Sequence, residues 1–245
     1  MAFEFREKIA LLTGATGKLA GEVAIELARA GANLALHYHT HGEEALALAD
    51  QIEKMGRKCS VYRADLTQTK GIRKMTDAVL DDFGGVDILI NSASKFVVKS
   101  LSQTEDELWQ QMLDLHLTAP YQIVRSLEQN FRQRQGAIIN FTDIWGLHPR
   151  KTFFAYSVSK GALVSLTRAQ ADEFAPTTTV NAIAPGILHF DETTPPAQQE
   201  KIIARIPLGR TGRVEEVAQM TLAVIANRYM TGQVVCIDGG RTLHL

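Results

Sequence analysis

Cysteine is almost absent from this chain. Its 245 residues hold two, Cys59 and Cys236, far apart and in no CxxC or Cys/His cluster. That excludes a disulfide framework and a thiolate metal site. Both cysteines sit in apolar, strand-like runs, so the expectation is two buried thiols. No group of residues has metal-ligand spacing, and no metal is expected. Excess charge is absent too, because 26 basic and 27 acidic side chains leave a net charge of −1. No general electrostatic reason points to nucleic acid or an anionic membrane as a partner. No run reaches the roughly 18 apolar residues of a membrane span. The first eight residues, Met1 to Lys8, are charged and lack a secretory apolar core. The expected location is the cytoplasm.

What the chain does have is alternation. Apolar runs at Lys8–Thr13, Asn33–His37, Lys58–Ala64, Val86–Asn91, Gly136–Phe141, Thr179–Ile183 and Val234–Ile237 read as strands. Between them lie helix-length amphipathic stretches: Lys18–Ala30, Glu43–Met55, Thr69–Phe83, most of Thr104–Asn130, Phe154–Phe174 and Glu215–Ala226. Strands that are apolar throughout must be covered on both faces. The prediction is a Rossmann-type, doubly wound α/β fold with a parallel sheet in three layers. No linker or repeat divides residues 1–245, so one domain is expected. Pro185–Pro207 carries prolines and polar residues and reads as an irregular, substrate-covering segment.

Ligands of such folds bind beyond the carboxyl ends of the strands. The first strand ends in Thr13-Gly14-Ala15-Thr16-Gly17-Lys18-Leu19. Gly14 can turn the chain sharply, and the amides opening the next helix can hold a pyrophosphate. A plain glycine-rich turn is the competing reading. The second strand ends in His37-Tyr38-His39-Thr40-His41, without the carboxylate that would hold a ribose 2′-hydroxyl. Lys18 with hydroxyl or imidazole donors suits a 2′-phosphate, hence NADPH. Otherwise these side chains are solvated surface. Tyr156 and Lys160 are spaced i, i+4 and share one helix face. An ammonium beside a phenol lowers its pKa, which suits Tyr156 to general acid work near neutral pH.

These pieces occur in an order that resembles the short-chain dehydrogenase/reductase family from end to end. They are Thr13-Gly14, Asp65-Leu66, Asn91-Ser92-Ala93, Tyr156 to Lys160, Asn181 to Gly186, Thr231-Gly232-Gln233 and Asp238-Gly239-Gly240. The resemblance implies seven strands and a homotetramer. It implies cofactor contacts from Gly14, Thr16, Lys18, Leu19, His39, Thr40, Asp65, Leu66, Asn91, Ser92, Ala93, Tyr156, Lys160, Pro185 and Gly186.

Three features narrow the resemblance, two of them departures. Lys18 stands where the family usually has glycine. Asp143 stands thirteen residues before the tyrosine, where the family has its catalytic serine. An ionised aspartate would repel the alkoxide formed when a ketone is reduced. An acid relay through Asp143 and Tyr156 would instead serve a C=N bond, whose nitrogen needs a proton. Phe96, in Ser94-Lys95-Phe96, matches a phenylalanine that stacks on a flat pterin. A buried core phenylalanine is the alternative. The chain is similar in these features to the pteridine reductase branch, particularly its dihydromonapterin reductases, which also resemble it at His116.

That similarity implies catalysis by Asp143, Tyr156 and Lys160. It implies a pterin-like substrate touched by Phe96, Asp143, Tyr156 and Leu188. His189, Phe190, Asp191 and Glu192 are expected to tune the choice of pterin. The alternatives are a carbonyl or 3-oxoacyl reductase and a non-catalytic NADP sensor.

Overall fold

The computed structural model describes residues 3–191 and 193–244. Glu192, one of the residues expected to tune substrate choice, lies outside them, as do Met1 and Ala2 at the start of the charged N-terminal run. The elements alternate in chain order: β1 (Ile9–Leu12), α1 (Lys18–Arg29), β2 (Asn33–Tyr38), α2 (Gly42–Lys54), β3 (Cys59–Arg63), α3 (Thr69–Phe83) and β4 (Ile88–Asn91). Then come α4 (Asp106–Leu113), a π-helical turn at Asp114–Thr118, α5 (Ala119–Ser126), α6 (Glu128–Gln133), β5 (Ala137–Phe141) and the short α7 (Ile144–Leu147). The chain continues through α8 (Phe154–Phe174), β6 (Thr179–Pro185), α9 (Pro196–Ile203), α10 (Val214–Ala226) and β7 (Val234–Ile237).

The seven strands form one sheet in the order β3-β2-β1-β4-β5-β6-β7. Every pairing is parallel. The expected doubly wound fold is therefore present, with its switch in strand order between β1 and β4. Side chains alternate between faces with period two. Ala10, Leu12, Ile88, Ile90 and Ile139 pack with Val23 and Leu27 of α1, Ile52 of α2 and Val217 and Val224 of α10. Leu11, Leu89 and Ile138 pack on the other face with Ile72 and Val79 of α3, Ile123 of α5, Phe131 of α6 and Phe174 of α8. This two-sided burial explains why the strand sequences are apolar without alternation.

Two polar clasps close the switch. The Thr13 hydroxyl donates to the Ile90 carbonyl at 3.3 Å and accepts from the Ser92 and Ala93 amides at 3.0 and 3.1 Å. Gly14 turns at φ +67°, and a Cβ there would lie 2.8 Å from the Ala93 backbone, so the position needs glycine. The Gly14 amide donates to His37 Nδ1 at 3.1 Å, and His37 Nε2 lies 3.1 Å from the Ala64 carbonyl. These partners fix the neutral Nε2–H tautomer. His37 is only 2% exposed. It is a strut between β1, β2 and β3, which removes it from the imidazole donors offered above for a 2′-phosphate.

Two further expectations are corrected. Pro185–Pro207 is not irregular throughout, because α9 forms inside it. Pro196 opens that helix, where its missing amide hydrogen costs nothing. The segment's end is docked: the Leu208 amide donates to the Gly239 carbonyl at 3.1 Å. Cys59 is buried as expected, but Cys236 is exposed. It lies on the edge strand β7, whose Val235 and Ile237 pack on the core while Cys236 faces the opposite side. No helix among the described residues is long and apolar enough to cross a membrane.

Burial, then the neighbouring His39, lowers the His37 pKa to about 4 from 6.5, against the opposing pull of the Ala64 carbonyl and Asp65. An unfolded imidazole takes its proton as pH falls through 6.5, while the native one refuses it until about 4. Stability should be complete above the upper value and fall by about 3 kcal/mol across that window. Urea titrations of wild type and His37→Gln at several pH values check this. A wild-type pH slope unchanged by the substitution would contradict it.

Candidate functional site

The site lies at the carboxyl ends of the central strands, where β5 runs into α7 and faces α8. Gly146 and Gly161 let these two helices touch. A Cβ on Gly146 would lie 2.8 Å from the Lys160 backbone, and one on Gly161 would lie 3.0 Å from the Gly146 carbonyl. Asp143 caps α7, its Oδ1 accepting from the Trp145 amide at 2.7 Å. Its other oxygen accepts from the Tyr156 hydroxyl at 2.9 Å. Tyr156 and Lys160 share one face of α8 and are 5% and 3% exposed.

The charges here differ from the simple expectation. Lys160 Nζ donates to the Phe141 carbonyl at 2.8 Å and lies 5.9 Å from the Tyr156 ring centroid. It does not lower the phenol. Burial, followed by the Asp143 carboxylate, holds Tyr156 well above its ordinary pKa, with Ser94 pulling weakly the other way. Burial also raises Asp143, against the Trp145 amide, Tyr156 and Lys160. Lys160 is lowered to about 8 by burial, with Asp143 opposing. Tyr156 therefore stays a phenol, its proton on the bond to Asp143. A carboxylate beside it disfavours a new anion in the site.

His116 sits in the π-helical turn, 1% exposed, a setting common near functional sites. Its Nε2 accepts from the Lys95 amide at 3.1 Å and lies 3.0 Å from the Ser94 hydroxyl. The ring must therefore carry its proton on Nδ1, which faces Ser159 Oγ at 2.8 Å. Ser159 in turn donates to the Tyr156 carbonyl at 2.8 Å. Burial, then Lys160, keeps His116 neutral. It thus ties the loop after β4 to α8. Ser94 and Ser159 were missed by the sequence reading. Only the i, i+3 spacing of Tyr156 and Ser159 hinted at the second.

That loop carries Phe96, which is 55% exposed and so is no core residue. Its ring stands edge-on to Tyr156 at 4.9 Å and meets Phe153 at 5.1 Å, and Phe153 meets Trp145 at 5.6 Å. An aromatic wall thus leads outward from the Tyr156 hydroxyl.

On the other side, the first turn of α1 holds no acidic residue, and Gly17 gives it no side-chain cap. Thr16 and Leu19 flank this turn partly exposed, and Lys18, His39 and Thr40 are exposed beside it. Arg63, also missed, donates from Nε to the His39 carbonyl at 3.3 Å and adds a cation there. Asp65 binds the Thr67 amide and hydroxyl, and Leu66 is buried in the core. Asn91 donates to Asn140 at 2.8 Å, yet its own buried Oδ1 has no acceptor use. Ser92 and Ala93 are held by Thr13. Pro185 ends β6, and a Cβ on Gly186 would strike the Asp238 backbone at 2.7 Å. Leu188 packs on the core beside Gly212. Exposed amides, cations and glycines fit the phosphates of a dinucleotide. No group of metal-ligating side chains occurs among the described residues.

This combination of fold and site defines a nucleotide-dependent oxidoreductase architecture. A family profile described as Enoyl-(Acyl carrier protein) reductase matches residues 14–242, and the chain belongs to this short-chain dehydrogenase/reductase family. It is 32% identical over 240 residues to the Uncharacterized oxidoreductase YmfI of Bacillus subtilis, covering 95% of this chain and 98% of that one. It is 31% identical over 240 residues to 3-oxoacyl-[acyl-carrier-protein] reductase FabG of Staphylococcus epidermidis, with the same coverage of 95% and 98%. Among solved structures, FolM Alternative dihydrofolate reductase 1 from Brucella canis complexed with NADP matches with a TM-score of 0.90 at 28% identity. That match covers 99% of this chain and 97% of the other.

His116→Leu removes the acceptor of the Lys95 amide and strands Ser159. The expected cost is roughly 2 kcal/mol, with faster hydrogen exchange at Lys95. Denaturation and amide exchange measure both, and unchanged exchange at Lys95 would rule the clasp out.

Proposed function

We propose that the chain is an NADPH-dependent dihydropterin reductase, which converts a 7,8-dihydropterin to its tetrahydro form. The observation that carries this reading is the 2.9 Å bond from Tyr156 to Asp143, in place of the serine usual in the family. The exposed Phe96 ring beside it supports a flat substrate.

When bound, NADPH supplies the hydride that adds to C6 of the N5=C6 bond. Tyr156 delivers a proton to N5, and a proton taken up from solvent by Asp143, whose pKa burial raises, is relayed back to Tyr156. Lys160, held by the Phe141 carbonyl, orients the nicotinamide ribose and balances the charge left on the pair. Phe96 stacks on the pterin ring, and His116 holds the loop that carries it. Lys18 and Arg63 would supply the cations for a 2′-phosphate, with His39 and Thr40 as further donors. The NADP complex of the Brucella protein supports this choice of cofactor.

The similarity to FabG favours a second reading, reduction of a 3-oxoacyl thioester on the same scaffold. The two readings separate at the substrate. NADPH oxidation should be followed with dihydromonapterin, dihydrobiopterin, dihydrofolate, a panel of ketones and a 3-oxoacyl thioester, and repeated with NADH. The proposal expects turnover of the pterins, with NADPH favoured at least tenfold or so, the worth of one good charge-assisted contact to phosphate. Turnover confined to carbonyl substrates would overturn it.

A further inference from the structure

The C-terminal turn holds a buried arginine that neither the fold nor the proton relay uses. Arg241 is 5% exposed. Its Nη1 donates to the Arg205 carbonyl at 3.2 Å, while its buried Nε has no partner. A buried guanidinium normally has a carboxylate beside it. The nearest candidate, Asp238, is already committed. Its two oxygens accept from the Gly240 amide at 2.9 Å and the Thr242 amide at 2.7 Å. The charges that do face Arg241 are Arg205 and Arg150, and after burial they are the main influences lowering its pKa. None of the three arginines pairs with a carboxylate among the described residues.

The cluster lies at the outer end of the aromatic wall. Arg150 stands over Trp145 at 5.3 Å, and Trp145 leads through Phe153 and Phe96 to Tyr156. Arg205 lies just beyond α9, its carbonyl bonded by Arg241. Like charges held together with an unused donor are costly unless an anion arrives to share them.

We infer that Arg241, Arg205 and Arg150 form an anion subsite that receives an oxyanion carried on the tail of the substrate, whose reducible end lies at Tyr156. The identity of that end rests on the pterin reading, but the charge of the tail does not. A pterin with a glutamyl tail offers carboxylates, and a carrier-bound thioester offers a phosphate.

Two experiments on the full chain test this. Arg205 and Arg150 are exposed and replaceable, whereas Arg241→Gln would endanger folding. The first compares KM for dihydrofolate and for the uncharged dihydrobiopterin in wild type, Arg205→Gln and Arg150→Gln. The substitutions should raise KM for dihydrofolate about tenfold, the worth of one charge-assisted contact, and leave dihydrobiopterin within about twofold. Equal effects on both would overturn the subsite while leaving the pterin reading intact. The second titrates the NADP-saturated protein with p-aminobenzoylglutamate, its diethyl ester and inorganic phosphate by calorimetry. Binding of the acid, or of phosphate alone, that Arg205→Gln weakens supports the subsite and names the source of the oxyanion. Binding of neither, or equal binding of acid and ester, overturns it. This arm holds even if no pterin is turned over.

Discussion

A carboxyl group and a phenol, both buried and 2.9 Å apart, set the terms for everything around them. Neither can ionise cheaply at that depth. The Asp143 carboxylate raises the cost of charge on Tyr156, so the phenol keeps its proton. The surrounding structure serves that contact. Glycines 146 and 161 let α7 touch α8. The Trp145 amide fixes one oxygen of Asp143, and the Phe141 carbonyl holds Lys160 near enough to keep the site from becoming net negative. A side chain at Gly146 would strike the Lys160 backbone and the Thr142 hydroxyl, forcing α7 from α8.

The same site shows why the family's usual explanation of its tyrosine is incomplete here. Spacing puts an ammonium near the phenol, which by itself lowers the phenol's pKa. In the structure desolvation and the adjacent carboxylate raise it instead, and the one opposing pull comes from Ser94. Lys160 instead falls to about 8, because its own charge is buried. The consequence is a phenol that keeps its proton beside a carboxyl group. On one side the aromatic wall from Phe96 to Trp145 fits a flat ring, and on the other the bare amides of α1 fit a phosphate.

The fold was legible because its rule is local. A strand buried on both faces must be apolar or internally bonded, and β1, β4 and β5 are apolar except for Asn91 and Asn140, which bond to each other. The rule weakens at the edge, where β7 has one neighbour and Cys236 turns outward. It fails at Pro196, where a proline inside a segment read as irregular starts a helix. Tyr156, Lys160 and Asp143 were legible because helix spacing and a fixed distance along the chain define them. Ser94, Ser159 and Arg63 were not, because each becomes meaningful only through a partner brought near by the fold. His37 misled for the same reason. An imidazole at the end of a strand looks available for phosphate until the Gly14 amide and the Ala64 carbonyl occupy both of its nitrogens.

The central claim is that Asp143 commits the site to protonating nitrogen. Its most direct test is Asp143→Ser, which restores the residue usual in the family, followed by single-turnover hydride transfer with NADPH to a dihydropterin and to a ketone. The account predicts that dihydropterin reduction slows by about 10²-fold or more, the usual worth of one general acid, while ketone reduction holds or rises. Equal loss on both substrates, or undiminished dihydropterin reduction, would contradict it.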